Sequence, residues 1–417
     1  MKGIFKAFRK FRTKLLLFLI VAGPGLVTAF ADNDAGGVAT YSIAAAKYGY
    51  QILITLIPIT AVLAISQEVG ARVAIATGKG LADLIRERFG IRTTIFIFIL
   101  IFLVNFGVIL QDVSGLKSAL GLFGLDYRIF LPIVLVILFF FLIKASYSNT
   151  EKLFFVVMIF YLAYFFSAVM AKPDWQYVAK SILIPQGKIS FDFLYTSIAV
   201  LGTTVTIWGQ FVISSQIKDK KLTQSQMKYE QIEVILASLV SDIFTILMMV
   251  AVIATLFVNK IKITGADEAA LAIMPFAGDM AGILFGVGLL AAGFLGCAIV
   301  PLSTAYAFSE FFGYEGSLDH GFKKSKFFYS FFLFQIILAA IFVMQPDFSL
   351  FKITLYADFF NGICLPVIFF FLYRFANDPQ IMGKYRNNRF QNILLIVCAV
   401  VISMASFIGI VGKIFSH

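Results

Sequence analysis

Charge is scarce in this chain: of 417 residues, only 14% are Asp, Glu, Lys or Arg. A soluble domain carries about 25%, so a soluble globular protein of this length is excluded. Histidine is scarcer still. His320 and His417 are the two present, and neither lies in an apolar run, so an imidazole proton relay within a membrane is unavailable. The three cysteines, Cys297, Cys364 and Cys398, all lie inside apolar segments. Their spacing fits no metal motif and gives no reason for a disulfide, which leaves a packing role. There is no HExxH, no Walker loop and no GxSxG, so no enzyme motif stands. Gly78-Lys79-Gly80 is too short for a phosphate loop and reads as a turn.

What the chain has is apolar length. It is 60% hydrophobic with a mean hydropathy of +0.93, and runs near twenty residues recur, as spanning helices require. The 49 phenylalanines serve lipid contact and packing. Eleven spans are expected, at 15–47 (broken), 50–77, 93–122, 128–147, 150–171, 192–217 (broken), 228–259, 279–312, 325–345, 348–375 and 390–414. Asp267–Pro275 reads as a short helix outside the membrane. The net charge of +11 does not point to nucleic acid, because the basic residues collect at alternate ends of the spans. Lys2 to Lys14, Lys79 to Arg92, Lys144, Lys152, Lys218 to Lys228, Lys323 to Lys326 and Arg374 to Arg389 fall on one side. The positive-inside rule makes that side cytoplasmic, with the N-terminus inside and the C-terminus outside. No cleavable signal peptide is expected. The expected organisation is a basic segment 1–14 and one transporter domain 15–414, comprising repeats 15–171 and 192–375 and a further helix 390–414.

Two spans carry interruptions. The first is broken by Ala31-Asp32-Asn33-Asp34-Ala35-Gly36-Gly37. A carboxylate in hydrocarbon is expensive and faces a polar cavity or a cation; glycines let the backbone leave the helix there. The sixth reads Gly202-Thr203-Thr204-Val205-Thr206, whose hydroxyls can serve freed backbone groups. Breaks in the first and sixth spans are what a five-plus-five inverted repeat predicts, with the cation held at mid-membrane depth. Asp34 is the first candidate ligand, and Asp32 is its neighbour of undetermined direction. The carbonyl of Thr203 and the side chain of Thr206 are expected to face Asp34, with Gln210 one turn beyond Thr206. Such oxygen-only surroundings suit Mg²⁺, Mn²⁺ or Ca²⁺. Asp112, Asp242 and Asp358 lie deep and can line a cation pathway, with Asn361 one turn after Asp358. Glu68 and Arg72 stand at i,i+4 as an ion pair. Glu310 lies close enough to its helix end to be wet.

These residues resemble the Nramp family of divalent-metal transporters over nearly the whole chain. Gly23-Pro24-Gly25 followed by Asp34-Ala35-Gly36-Gly37 is similar to the family's Gly-Pro-Gly and Asp-Pro-Gly-Asn. Gln67-Glu68-Val69-Gly70-Ala71-Arg72 and Pro301-Leu302-Ser303-Thr304-Ala305-Tyr306 resemble its second- and eighth-helix blocks. The resemblance implies a LeuT-like fold and places Asp34 on the metal-binding aspartate. Gly37 then takes the place of the metal-binding asparagine, Thr203 that of the alanine whose carbonyl binds metal, and Thr206 that of the methionine. Ile207 and Trp208 take the Pro-His positions. Asp112 falls near the third-helix glutamate and Asp358 near the tenth-helix glutamine. These departures resemble the Nramp-related magnesium transporter branch, whose wider site accepts a partly hydrated ion. Losing the thioether removes a filter for transition metals, and Mg²⁺ keeps several waters, which suits a roomy oxygen-lined pocket.

The function expected is import of Mg²⁺, with Mn²⁺ also carried, across the cell membrane and with weak or absent proton coupling. The nearest alternative is a proton-coupled Mn²⁺/Fe²⁺ symporter, with Asp112 and Asp242 carrying protons. An amino-acid symporter is disfavoured by an acid at the break, and an intramembrane aspartyl protease by the lack of a catalytic motif. No cofactor, nucleic acid or protein partner is expected; the partners are the transported ion and the bilayer.

Overall fold

The computed structural model describes Phe18 and residues 21–263, 266–345 and 350–415. The segment 1–14, the start of the first span and His417 lie outside these residues. All described regular structure is helical. The first span is two half-helices, Pro24–Ala31 and Ala35–Tyr48, followed by a 3-10 turn Gly49–Thr55. The second is Leu56–Thr77, the third Leu81–Leu122, the fourth Tyr127–Lys144, and the fifth Tyr147–Ile159 with Leu162–Met170. The sixth is again split, into Phe191–Thr204 and Ile207–Asp219. The seventh, Met227–Val252, runs into a π-helical turn Ile253–Phe257; the eighth to eleventh are Asp279–Phe312, Lys326–Val343, Leu350–Asn377 and Arg389–Phe415. Among the described residues, ten helices are long and apolar enough to cross a membrane, one of them the continuous stretch Ala35–Thr77 that joins the second half of the first span to the second span. Counting that stretch as two gives the eleven expected.

Two differences from the sequence reading have local causes. The third helix begins at Leu81, twelve residues early, because Gly90 takes φ 75° and lets a preceding helical segment turn directly into the span. An extra helix, Trp175–Leu183, stands between spans five and six, capped by Asp174, whose carboxylate accepts from the Gln176 and Tyr177 amides. Its short amphipathic length hid it among the loops. The expected short helix is present as Ala266–Ala277.

The sixth span is the most enclosed, buried along nearly its whole length, whereas the eleventh lies at the rim. Glycines permit the closest approaches. A Cβ on Gly115 would fall 2.1 Å from the Ala35 Cβ, so the third span presses on the first at its break. The eighth does so on the third, where Gly296 abuts the Asp112 carboxylate.

The Glu68–Arg72 pair is present and almost wholly buried. Arg72 Nε donates to Glu68 Oε1 (2.8 Å), and its other nitrogens donate to the Tyr385 carbonyl (2.6 Å) and Asn387 Oδ1 (2.6 Å). Gln231 adds a bond to Glu68 (2.6 Å). Removing one member of such a pair leaves a buried charge without compensation, at about 3–5 kcal/mol. Arg72→Met is therefore expected to lower thermal stability by about that amount, checked by the melting temperature of the purified protein. Glu310, expected to be wet, is 5% exposed. Ser215 donates to it (2.9 Å), Lys218 lies 3.6 Å away, and Arg86 covers its backbone carbonyl (2.6 Å).

Candidate metal centre at the two helix breaks

Each break is built by its own side chains. In the first span, Asp32 ends the first half-helix in αR conformation, and Asp34, extended, caps the second by accepting from the Gly37 amide (2.8 Å). Between them Asn33 is a staple. It donates to Ser241 Oγ (2.7 Å), accepts from Thr245 (2.6 Å), and its carbonyl accepts from Tyr161 (3.1 Å). In the sixth span Thr206 caps the second half by accepting from the Gly209 amide (3.0 Å). Asn361 bridges this break: its amide donates to the Gly202 carbonyl (2.7 Å) and its oxygen accepts from the Ile207 amide (3.1 Å). The freed backbone groups are thus satisfied from inside the bundle, as low dielectric demands.

The two aspartates of the first break look to opposite sides. On the Asp34 side, the Ala35 amide donates to Asp112 Oδ1 (3.1 Å). Asp358 accepts from the Thr40 hydroxyl and from Gln111 Nε2 (3.1 Å), and the Thr203 hydroxyl faces it. Gly37 lies beside Thr203, whose hydroxyl would be 3.3 Å from a Cβ there. On the Asp32 side, Oδ1 accepts from Thr206 (2.8 Å) and Oδ2 from Gln67 (3.1 Å). Gln210 reaches the second span, donating to Ser66 Oγ (3.2 Å). Asp242 accepts from Thr60.

This corrects the expected grouping. Thr206 sits with Asp32 rather than with Asp34, and Gln210 reaches Ser66 on the second span. The three-residue unwinding at 32–34 turns the two carboxylates apart, and the cap at Thr206 fixes its hydroxyl on the nearer one. Thr203, Gly37, Asp112 and Asp358 do gather around Asp34, and Asn361 holds the sixth-span break. Trp208 contributes through its backbone, whose carbonyl accepts from Ser303 (2.7 Å); the buried indole N–H has no partner among the described residues. Gln67, Gln111, Thr40 and Asn33 escaped selection.

All these side chains are at most 3% exposed, so the centre is enclosed. Among the described residues, no three His, Cys, Asp or Glu side chains converge to hold an ion. An ion here must take one or two carboxylates and complete its shell with hydroxyl, amide, backbone or water oxygens, a donor set for hard cations. Cys297 is buried on the eighth span, within electrostatic reach of Asp112 and Asp34.

The family model described as "Natural resistance-associated macrophage protein-like", Nramp, matches residues 25–412. The divalent metal cation transporter MntH of Bacillus subtilis is 28% identical over 318 residues, covering 72% of each chain. Among solved structures, a mutant manganese transporter of Eremococcus coleocola superposes with a TM-score of 0.72 at 18% identity, covering 93% of this chain and 86% of that one. A closed nucleobase-cation-symport-1 family transporter superposes at 0.57 with 16% identity, covering 94% of this chain and 90% of that one. The fold is the LeuT-like one, and the chain, a multi-pass membrane transporter and not an enzyme, belongs to the Nramp family.

Proposed function

We propose that this chain imports divalent cations across the cell membrane by alternating access, taking Mg²⁺ with Mn²⁺ also carried, its N-terminus cytoplasmic. Asp34 anchors the ion, partly through water, with the Thr203 carbonyl and the space left by Gly37 completing the site. The carrying observation is the donor set at the breaks: carboxylate, hydroxyl and amide oxygens, with a threonine hydroxyl on Asp32 where the family has a thioether. Hard oxygen ligands do not select against Mg²⁺. The names of the relatives, a divalent metal cation transporter and a manganese transporter, support the ion class. The membrane potential contributes about 4.6 kcal/mol per divalent ion at ~100 mV, from roughly 2.3 per charge, which is enough to drive uptake without protons.

Competition in proteoliposomes tests the selectivity. With similar affinities and saturating Mn²⁺, about a tenfold excess of Mg²⁺ should lower Mn²⁺ uptake about tenfold; Mn²⁺ uptake that ignores Mg²⁺ would defeat the reading. Cys297→Ser should leave this ratio unchanged, since the thiol is not assigned to the ion. The proton-coupled symporter is supported by one observation, that Asp112 Oδ2 and Asp242 Oδ1 are buried without partners among the described residues and could carry protons. Internal acidification accompanying uptake would favour it.

A further inference from the structure

The structure assigns Asp32 a role of its own: with Thr206, Gln67 and Gln210 it forms a second cation position, separate from Asp34, that receives the ion on its way to the cytoplasm. This rests on the reading of the chain as a divalent-cation importer. Four observations carry it. First, Asp32 is 1% exposed and bound only by neutral donors, Thr206 Oγ1 (2.8 Å) and Gln67 Nε2 (3.1 Å). No cation of the protein pairs with it among the described residues. A bare buried carboxylate in a membrane calls for a positive partner.

Second, two fully buried amide oxygens, on side chains that reach Asp32 and the adjoining Ser66, have no hydrogen-bond partner among the described residues. They are Gln67 Oε1 and Gln210 Oε1. Their amide nitrogens are engaged, on Asp32 and on Ser66 respectively, so the oxygens are left as spare acceptors. Buried acceptors rarely go unsatisfied, and a hard cation is what amide oxygens and a carboxylate bind together. Third, Asp32 closes the C-terminal end of the half-helix Pro24–Ala31, where the carbonyl ends favour positive charge. Fourth, Gly209 keeps the approach open: a Cβ there would sit 3.4 Å from Asp32 Oδ1 and 2.7 Å from Thr206 Oγ1.

The elements that frame this group fix its direction. With the orientation proposed above, the half-helix Pro24–Ala31 and the half-helix Ile207–Asp219 belong to the cytoplasmic half, whereas the Asp34 group is framed by Ala35–Tyr48 and the outer parts of spans three and ten. Two carboxylates two residues apart, each facing one half of the bundle, give the ion a step between an outer and an inner position. Asp242, held by Thr60 on the second span, adds negative charge behind the inner one.

Mn²⁺ binding to the purified full chain, followed by electron paramagnetic resonance, together with Mn²⁺ uptake in proteoliposomes, tests this. Asp32→Asn should change the affinity of the tightest site by less than about threefold yet lower uptake about tenfold or more. Asp34→Asn should retain a weaker Mn²⁺ site, and adding Asp32→Asn should weaken that residual binding a further tenfold or so. Gln210→Leu, which removes the neutral amide and with it the bond to Ser66 (3.2 Å), should lower uptake in the same direction and decides the matter if Asp32→Asn does not fold. The proposal is overturned if Asp34→Asn abolishes all Mn²⁺ binding, if the residual site ignores Asp32, or if uptake by Gln210→Leu equals that of the unmodified protein. Failure of the Asp34 reading looks different: Asp34→Asn would then bind its first Mn²⁺ as tightly as the unmodified chain.

Discussion

Asp34→Ala should reduce divalent-cation uptake about a hundredfold or more. Asp34 is buried at the first break, its carboxylate on the Gly37 amide, and Gly37 in turn lies beside the Thr203 hydroxyl of the sixth span. Removing one partner of a buried charge pair costs about 3–5 kcal/mol, and each 1.4 kcal/mol is about tenfold, so a hundredfold is the lower end. The same substitution also removes a helix cap, the bond from the Gly37 amide (2.8 Å), worth about 0.5–2 kcal/mol of stability. Asp34→Asn separates the two effects. Its amide oxygen can still accept from Gly37, so stability should recover while uptake does not. Parallel uptake assays and melting curves on the two variants check both halves. Uptake restored by asparagine would mean that the cap, not the charge, is what matters.

Gly202→Ala should be the most damaging small substitution in the bundle. A Cβ at Gly202 would fall 1.9 Å from the Asp358 carbonyl oxygen and 2.7 Å from the Gly362 amide nitrogen, both backbone atoms that no rotamer change can move. Spans six and ten would have to part. Doing so would stretch the two bonds by which Asn361 bridges the sixth-span break, to the Gly202 carbonyl (2.7 Å) and from the Ile207 amide (3.1 Å). Overpacking costs about 1–3 kcal/mol, and each buried group left unpaired adds about 1–3. A loss of about 3 kcal/mol or more is expected, read as a large fall in melting temperature with little folded protein recovered. A variant that melts and transports like the unmodified chain would show that the two spans are not locked at this point.

The spans and both interruptions were legible in the sequence because hydropathy and backbone chemistry are local. The stretches Asp32 to Gly37 and Gly202 to Thr206 carry acids, glycines and threonines that mark a weak point in a spanning helix, and the helices break within them, at 32–34 and 205–206. The Glu68–Arg72 pair was legible for the same reason, being a matter of spacing on one helix. Partners across the bundle were not. Whether Thr206 meets Asp32 or Asp34 depends on the turn of three unwound residues, and no periodicity applies there. Gln67 and Gln111 carry no signal of their own, since glutamines are ordinary at helix interfaces. Only their contacts with Asp32 and Asp358 mark them. Gly115 and Gly296 are likewise mute in sequence, and the tight approach they allow appears only when three spans are assembled.

The most direct test is the location of the ion itself. Crystals of the protein soaked in Mn²⁺ and measured at the manganese absorption edge should give an anomalous peak surrounded by oxygen, either about 2.0–2.6 Å from the Asp34 carboxylate or bonded to a water that hydrogen-bonds that carboxylate at about 2.7 Å. A strongest peak remote from Asp34, or one bonded to the Cys297 sulfur, would contradict the account.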